Sequence, residues 1–278
     1  MPRAFSRKPP VALTIAGVDS GGGAGVAADL KTFAMLGVHG ACAVTALTAQ
    51  NTQGAGQIHM VPADQVVAQM EAVLDDLGCH AAKTGMLGTA ELVEAVSLVV
   101  RRHRLKNLVV DPVMVATSGA LLLEAGAQAA YRELLLPVAR VLTPNAAEAE
   151  ALLERPVRTA EDMAAAARDL VELGCEAAVV TGGHLPDEAL DVVYDRKSRR
   201  ARYLLGAKLP MTSVHGSGCV FSAAVAAHLA RGASVLTAVT QAKQFTTEAI
   251  RAGLDLGAGA GPVNPMFSLI ETVAKPLT

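Results

Sequence analysis

Residues His215-Gly-Ser-Gly-Cys219 set Gly216 and Gly218 around Ser217, just ahead of an apolar, alanine-rich helical run. Paired glycines let backbone N–H groups curl into a nest at a helix N-terminus, which attracts anions. The positive helix end is expected to lower the pKa of Cys219 and favour its thiolate. The alternative is a plain helix start in which Cys219 only packs.

Four other loops carry suitable residues. Asp19-Ser-Gly-Gly-Gly-Ala-Gly25 lies between a strand pattern and a helix pattern, so its backbone could approach a ligand or simply turn tightly. It is not a dinucleotide fingerprint, because Val26 stands where the third glycine belongs, and the chain has no Gly-Lys pair for a P-loop. Gln50 and Asn51 end an apolar strand; a glutamine amide can pair bidentately with an aminopyrimidine edge, or be an ordinary polar strand end. Asp111-Pro112 closes another strand, where the carboxylate could face Mg2+ or water, or start a turn. Asn145 and Glu148 share one helix face, suited to a hydrated Mg2+ or to a capping box. An anion hole, a Mg2+ face and an amide reader together suit phosphoryl transfer without a P-loop.

Such loops work together only if one scaffold brings them to one edge. Short buried strands (VALTIAG, ACAVTALTAQ, HAAKTGML, NLVVDPV, RVLTPN, EAAVVTGG) alternate with helical patterns, one of them capped by Thr89. That alternation predicts an α/β fold with a mainly parallel sheet and helices on both faces. ALDVVYD and ARYLLGA, joined by the charged turn DRKSRR, predict one antiparallel hairpin near an edge. Ligands in such sheets bind beyond the carboxyl ends of the strands. A single domain over 1–278 is expected, with its ordered core at about 11–267.

Composition fits this scaffold. Hydrophobic residues are 51% and aromatics 3%, so Ala, Val and Leu must fill the core. With 24 basic and 26 acidic residues in no like-charged blocks, nucleic acid is not expected as a partner. Four dispersed cysteines form neither a zinc spacing nor a disulfide framework, which favours a reducing compartment. No run approaches the roughly 18 apolar residues of a membrane span, so no membrane partner and a cytoplasmic location are expected.

In combination, TIAGVDSGGGAG, ADLKTF, TAQNT, KTGMLG, VVDPVM, TPNAAEAEAL, GGH and HGSGC resemble the hydroxymethylpyrimidine kinase / phosphomethylpyrimidine kinase family, from about Val11 to Pro265. The resemblance implies a ribokinase-like three-layer sandwich, ATP with Mg2+, phosphorylation of 4-amino-5-hydroxymethyl-2-methylpyrimidine and then of its monophosphate, and a homodimer. A pyridoxal kinase of the same architecture, or a non-catalytic pyrimidine or nucleotide binder, is the alternative. By the resemblance, Gln50 reads the aminopyrimidine, Asp29 is a pocket carboxylate, and Gly17, Met86 and Val113 are pocket walls. Asn145 and Glu148 serve Mg2+ and phosphate, with Asp111 a weaker metal candidate and Thr181 on the nucleotide side. Gly216, Ser217 and Gly218 form the anion hole, and Cys219 stands where many relatives carry an aspartate base. The chain departs from the family pattern at Ala27, in place of Gln, and at Thr117 and Ala120, in place of Lys and Asp. It departs again at Thr181, in place of Lys. Fewer cations near phosphate predict a weaker second phosphorylation.

Overall fold

The computed structural model describes residues 8–115, 122–124, 126–183, 189–206, 209 and 213–269. In chain order the elements are β1 (Val11–Asp19), α1 (Gly25–Met35), β2 (His39–Asn51), β3 (Gly54–Met60), α2 (Ala63–Asp76), β4 (Ala81–Thr84), α3 (Ala90–Arg102), β5 (Leu108–Val110) and α4 (Ala127–Ala130). Then come β6 (Val141–Leu142), α5 (Ala146–Leu153), α6 (Ala160–Glu172), β7 (Ala177–Gly182), β8 (Leu190–Asp195), β9 (Arg200–Leu204), α7 (Ser217–Ala230) and α8 (Val235–Arg251).

The nine strands form one sheet in the order β3-β2-β1-β4-β5-β6-β7-β8-β9. The six central strands, β2 to β7 in that order, run parallel, so their carboxyl ends share one edge. The chain winds from β1 to β2 on one side and returns to place β4 on the other. The gap between β1 and β4 is therefore the crevice where such sheets bind ligands.

Strand side chains alternate between two apolar layers, as a period of two demands. Leu13, Ile15, Ala82, Val110, Ala178 and Val180 meet α2, α3, α5 and α6. Ala12, Ala81, Val109, Ala177 and Val179 meet α1, α7 and α8. Helix α7 is buried almost all round, and its alanines let it lie close between the sheet and α8.

Two expectations needed correction. The β8–β9 hairpin is antiparallel as predicted, but a second antiparallel strand, β3, flanks β2 at the opposite edge. Its sequence, GAGQIHM, is mostly exposed and carries glycines and polar residues, so no apolar alternation announces it. The helix expected over GAQAAYRELLL is one α-turn followed by a π-helical stretch, Tyr131–Leu135, and a 3-10 turn, Leu136–Val138. Pro137 lacks the N–H that would continue the ladder.

Candidate active site

Lys83 is the central residue of this site. It lies in the middle of β4 with its side chain fully buried and turned toward α7. Its Nζ donates to both oxygens of Asp29, at 3.0 and 2.9 Å, and lies 3.8 Å from Asp111 Oδ2. Thr14 Oγ1 donates to Asp29 at 2.6 Å, and Ser222 Oγ from α7 donates to Asp111 at 2.8 Å. Burial alone would favour neutral Lys83, but the charge of Asp29, with that of Asp111 behind it, outweighs burial and holds the ammonium above its ordinary range. Asp29 was expected to line the pocket. It is fully buried, with its oxygens on Lys83 and Thr14.

Cys219 sits at the first turn of α7, over this network. The expected thiolate is not what its surroundings favour. Although the residue as a whole is half-buried, burial of the thiol pushes its pKa up to about 12. The Lys83 charge pulls down, Asp29 and Asp111 push up again, and the Gly25 N–H pulls down. Desolvation and two carboxylates outweigh the roughly half charge of a helix end. These surroundings favour the neutral thiol of Cys219 over the thiolate.

The glycine loop folds around the Asp19 carboxylate. Oδ1 accepts from the N–H of Gly21 at 2.8 Å; Oδ2 accepts from Gly23 at 3.0 Å and Ala24 at 2.9 Å. His215 Nε2 lies 2.8 Å from the same Oδ2. Burial raises the Asp19 pKa, but the His215 hydrogen bond and the loop N–H groups outweigh it and leave the carboxyl below its usual range. Gly216, at φ +81°, opens the N-terminus of α7; a Cβ there would stand 1.9 Å from the Gly23 carbonyl oxygen. The two glycine-bearing loops thus touch.

Around them stand the other predicted residues. Gly17 and Met86 meet across the β1–β4 crevice: a Cβ on Gly17 would lie 3.3 Å from Met86 Sδ. Val113 is half-buried just beyond β5. Gln50, next to last in β2, borders a hollow of about 380 Å³ shared with Asn51, Thr52, Gln53, His215, Gly259 and Ala260; its Oε1 accepts from Thr48 at 3.0 Å. A more open depression of about 660 Å³ lies over the exposed Leu47 and Ile58 of the β2–β3 hairpin and is not the crevice.

Asn145 and Glu148 form a full capping box: the Asn145 side chain accepts from Glu148 N–H, and Glu148 Oε2 accepts from Asn145 N–H, both at 2.9 Å. Thr181, half-buried on β7, bridges Asn145, its N–H donating to the Pro144 carbonyl at 2.9 Å. Burial and the nearby Asp111 charge push Glu148 up to about 8. Ala27 lies on α1; Thr117 and Ala120 lie outside the described residues.

A family model for phosphomethylpyrimidine kinase matches residues 19–264. The chain belongs to that family. The hydroxymethylpyrimidine/phosphomethylpyrimidine kinase of Mycobacterium bovis is 47% identical over 265 residues, 94% of this chain and 95% of that protein. The bifunctional thiamine biosynthesis protein of Geobacter sulfurreducens is 42% identical; the chain spans 54% of its length. Among solved structures, the ADP complex of Bacillus subtilis pyridoxal kinase superposes with a TM-score of 0.88 at 39% identity, over 95% of this chain and all of that one. A Clostridium difficile phosphomethylpyrimidine kinase gives 0.77 at 35%, over 87% of this chain and all of that one. The fold is the ribokinase-like one of these relatives.

Family membership does not explain what the residues do, and sequence reasoning passed over several. Lys83 stood in a quoted motif without a role; a lysine inside an otherwise apolar strand was the signal, since a buried ammonium needs carboxylate partners. Thr14, His215 and Ser222 gave no comparable signal, because the carboxylates they meet are distant in sequence; Asp19 bonds N–H groups of its own loop, but its His215 partner lies 196 residues on.

Proposed function

We propose that this family member transfers the γ-phosphoryl group of ATP to the hydroxymethyl oxygen of 4-amino-5-hydroxymethyl-2-methylpyrimidine, and then phosphorylates the monophosphate. The P–O bond to ADP breaks, a P–O bond to the alcohol forms, and the hydroxyl proton is released to water. The observation that carries this reading is the meeting of the α7 N-terminal glycines, Cys219 and the buried Lys83 at the crevice walled by Gly17 and Met86.

Gly216 and Gly218 present N–H groups to the transferring group, whose charge they stabilise without rearrangement, while the Ser217 N–H donates to the Val214 carbonyl at 3.2 Å and holds the turn between them. Gln50 orients the aminopyrimidine edge, and Gly17, Met86 and Val113 bracket the ring. The neutral Cys219 thiol faces the hydroxyl and orients it; the protonated Lys83 beneath supplies a fixed positive field. Phosphoryl transfer depends mainly on such positioning.

Asp111 and Glu148 fit a hydrated Mg2+. Both are buried carboxylates whose proton affinity burial raises, and the Asp111 charge raises that of Glu148 further, the situation a cation relieves. Among the described residues no three His, Cys, Asp or Glu side chains could hold a metal together, so waters and phosphate oxygens would complete the shell. A bound Mg2+ would neutralise the phosphate charge. Thr181 and Asn145, joined at the β6–β7 edge, would border the nucleotide.

A homodimer in a reducing, cytoplasmic setting completes the reading. Among the described residues, four cysteines are free and no helix is long and apolar enough to cross a membrane.

A pyridoxal-type alcohol is the second reading, favoured by the 0.88 superposition on a pyridoxal kinase. The experiment is ATP consumption with the pyrimidine alcohol, its monophosphate and pyridoxal. The proposal expects the highest kcat/KM with the alcohol and a lower one with the monophosphate, since Thr117 and Ala120 replace the family's charged pair. Pyridoxal as the best substrate would replace this proposal with the second reading.

A further inference from the structure

The Asp19 carboxylate is unusual in what it joins. Its two oxygens hold three consecutive-loop N–H groups and the His215 ring, from segments 196 residues apart. The His215 ring packs so closely on the loop that a Cβ on Gly23 would lie 2.6 Å from its Cδ2. The His215 backbone is itself tied down: its N–H donates to the Gly261 carbonyl at 3.1 Å, and its carbonyl accepts from Val263 N–H at 3.0 Å. One residue on, Gly216 touches the Gly23 carbonyl and starts α7. One residue past Ala24, Gly25 turns at φ +56° against the Gly17 carbonyl, and its N–H faces the Cys219 sulfur.

We infer that Asp19 is a positioning residue for phosphoryl transfer: by clamping the glycine loop to His215 it fixes the Gly25 N–H on the Cys219 sulfur and the Gly216 and Gly218 amides over the crevice as one rigid unit. The inference rests on the kinase reading for its kinetic consequence, but not for the clamp itself. Asp19 touches no reacting atom. It acts through two loops that would otherwise carry separate motions. Gly21 to Gly23 contribute no side chain to hold the turn; Lys31 Nζ ties the Gly22 carbonyl at 2.7 Å and the Gly22 N–H donates to the Asp19 carbonyl at 3.0 Å, while the Asp19 carboxylate is the group that joins the loop to the His215 side chain.

Asn at position 19 keeps the size but replaces one accepting oxygen with an NH2 group. Either Gly21 N–H or the Gly23, Ala24 and His215 set then faces a donor instead of an acceptor. In Asp19→Asn, kcat for the preferred alcohol is expected to fall about 10–100-fold, as when reacting groups lose alignment, while Kd for the alcohol and for ATP each change less than about threefold. Hydrogen exchange of the amides over 20–25 and 214–218 should quicken while the strands of the sheet stay protected. His215→Gln, which keeps a donor near the Nε2 position, should retain more of kcat than His215→Leu.

If Asp19→Asn lowers Tm but leaves kcat within about twofold of wild type at temperatures well below Tm, the residue is structural only and the inference is overturned. Unchanged exchange over 20–25 overturns the clamp directly. Should Asp19→Asn fail to fold, Gly23→Ala, which crowds the His215 ring, carries the same expectations and the same refutations. Should wild type phosphorylate none of the three alcohols, the kinase reading falls, while the exchange measurement still decides the clamp.

Discussion

Replacing Lys83 with Met tests the centre of the site. Methionine follows the unbranched shape of lysine but brings no charge. Asp29 and Asp111 would then share a dry space without a cation, each keeping one hydroxyl partner, Thr14 at 2.6 Å and Ser222 at 2.8 Å. Removing one partner of a buried ion pair costs about 3–5 kcal/mol. The surviving hydroxyl bonds place this case near the lower end, about 3 kcal/mol, roughly a 150-fold loss in the folded-to-unfolded ratio. The pH dependence has a definite sign. In wild type the raised pKa of Lys83 means its contribution is complete below the unfolded value of about 10.4 and is lost only as pH rises through the folded value above that. In Lys83→Met the orphaned carboxylates prefer the neutral form, so the deficit should shrink as pH falls from 7.5 to 5. The assay is urea unfolding followed by circular dichroism at both pH values for wild type, Lys83→Met, Asp29→Asn and the double variant. The double variant should be less destabilised than the two singles added, by at least about 1 kcal/mol. A Lys83→Met loss under about 1 kcal/mol, or singles that simply add, would refute the ion-pair account.

Gln50→Leu should weaken alcohol binding by about 1–3 kcal/mol, because polar ligand atoms lose their partner, with ATP affinity unchanged by calorimetry; equal losses for both ligands would mean a disturbed fold instead. Since burial and Asp111 raise Glu148 from 4.5 to about 8, the native state holds more protons than the unfolded state in that window, and Tm should decline as pH rises across it. Glu148→Gln should flatten that decline and blunt the Tm gain from Mg2+ at pH 8; a slope equal to wild type's would show Glu148 is not the group responsible. With its thiol pushed up to about 12, Cys219 should alkylate slowly at pH 7, and peptide-resolved labelling with iodoacetamide should accelerate only far into alkaline pH. A labelling midpoint near 7 would restore the thiolate. Cys219→Ala should lower kcat much more than it raises KM for the alcohol, and a normal kcat would remove the thiol from the reaction.

Local chemistry wrote much of this protein legibly into its sequence. Apolar runs of strand length alternating with helical periods fixed an α/β sheet, because each element must bury its own apolar face. Thr89 marked a helix start, and its side chain accepts from Leu92 N–H at 3.1 Å. The Asn145–Glu148 spacing predicted a shared face, and the capping box formed there needs only four consecutive residues. Paired glycines marked the turn into α7, where Gly216 takes φ +81° against the Gly23 carbonyl while Gly218 faces open space. What the tertiary structure alone decided was which groups became neighbours. Asp29 had the residue type of a pocket carboxylate, but the stacking of β1, β4 and α1 placed it under the pocket on Lys83. The thiolate expected for Cys219 followed from the helix end; the thiol it carries follows from desolvation and from two carboxylates, 190 and 108 residues earlier in the chain, that only folding brings near. Strand β3 went unread because an exposed edge strand is held by its backbone pairing to β2, which leaves no periodicity in its side chains. Electrostatics and desolvation depend on distance in space, and spacing along the chain carries that information only within a turn or two of helix.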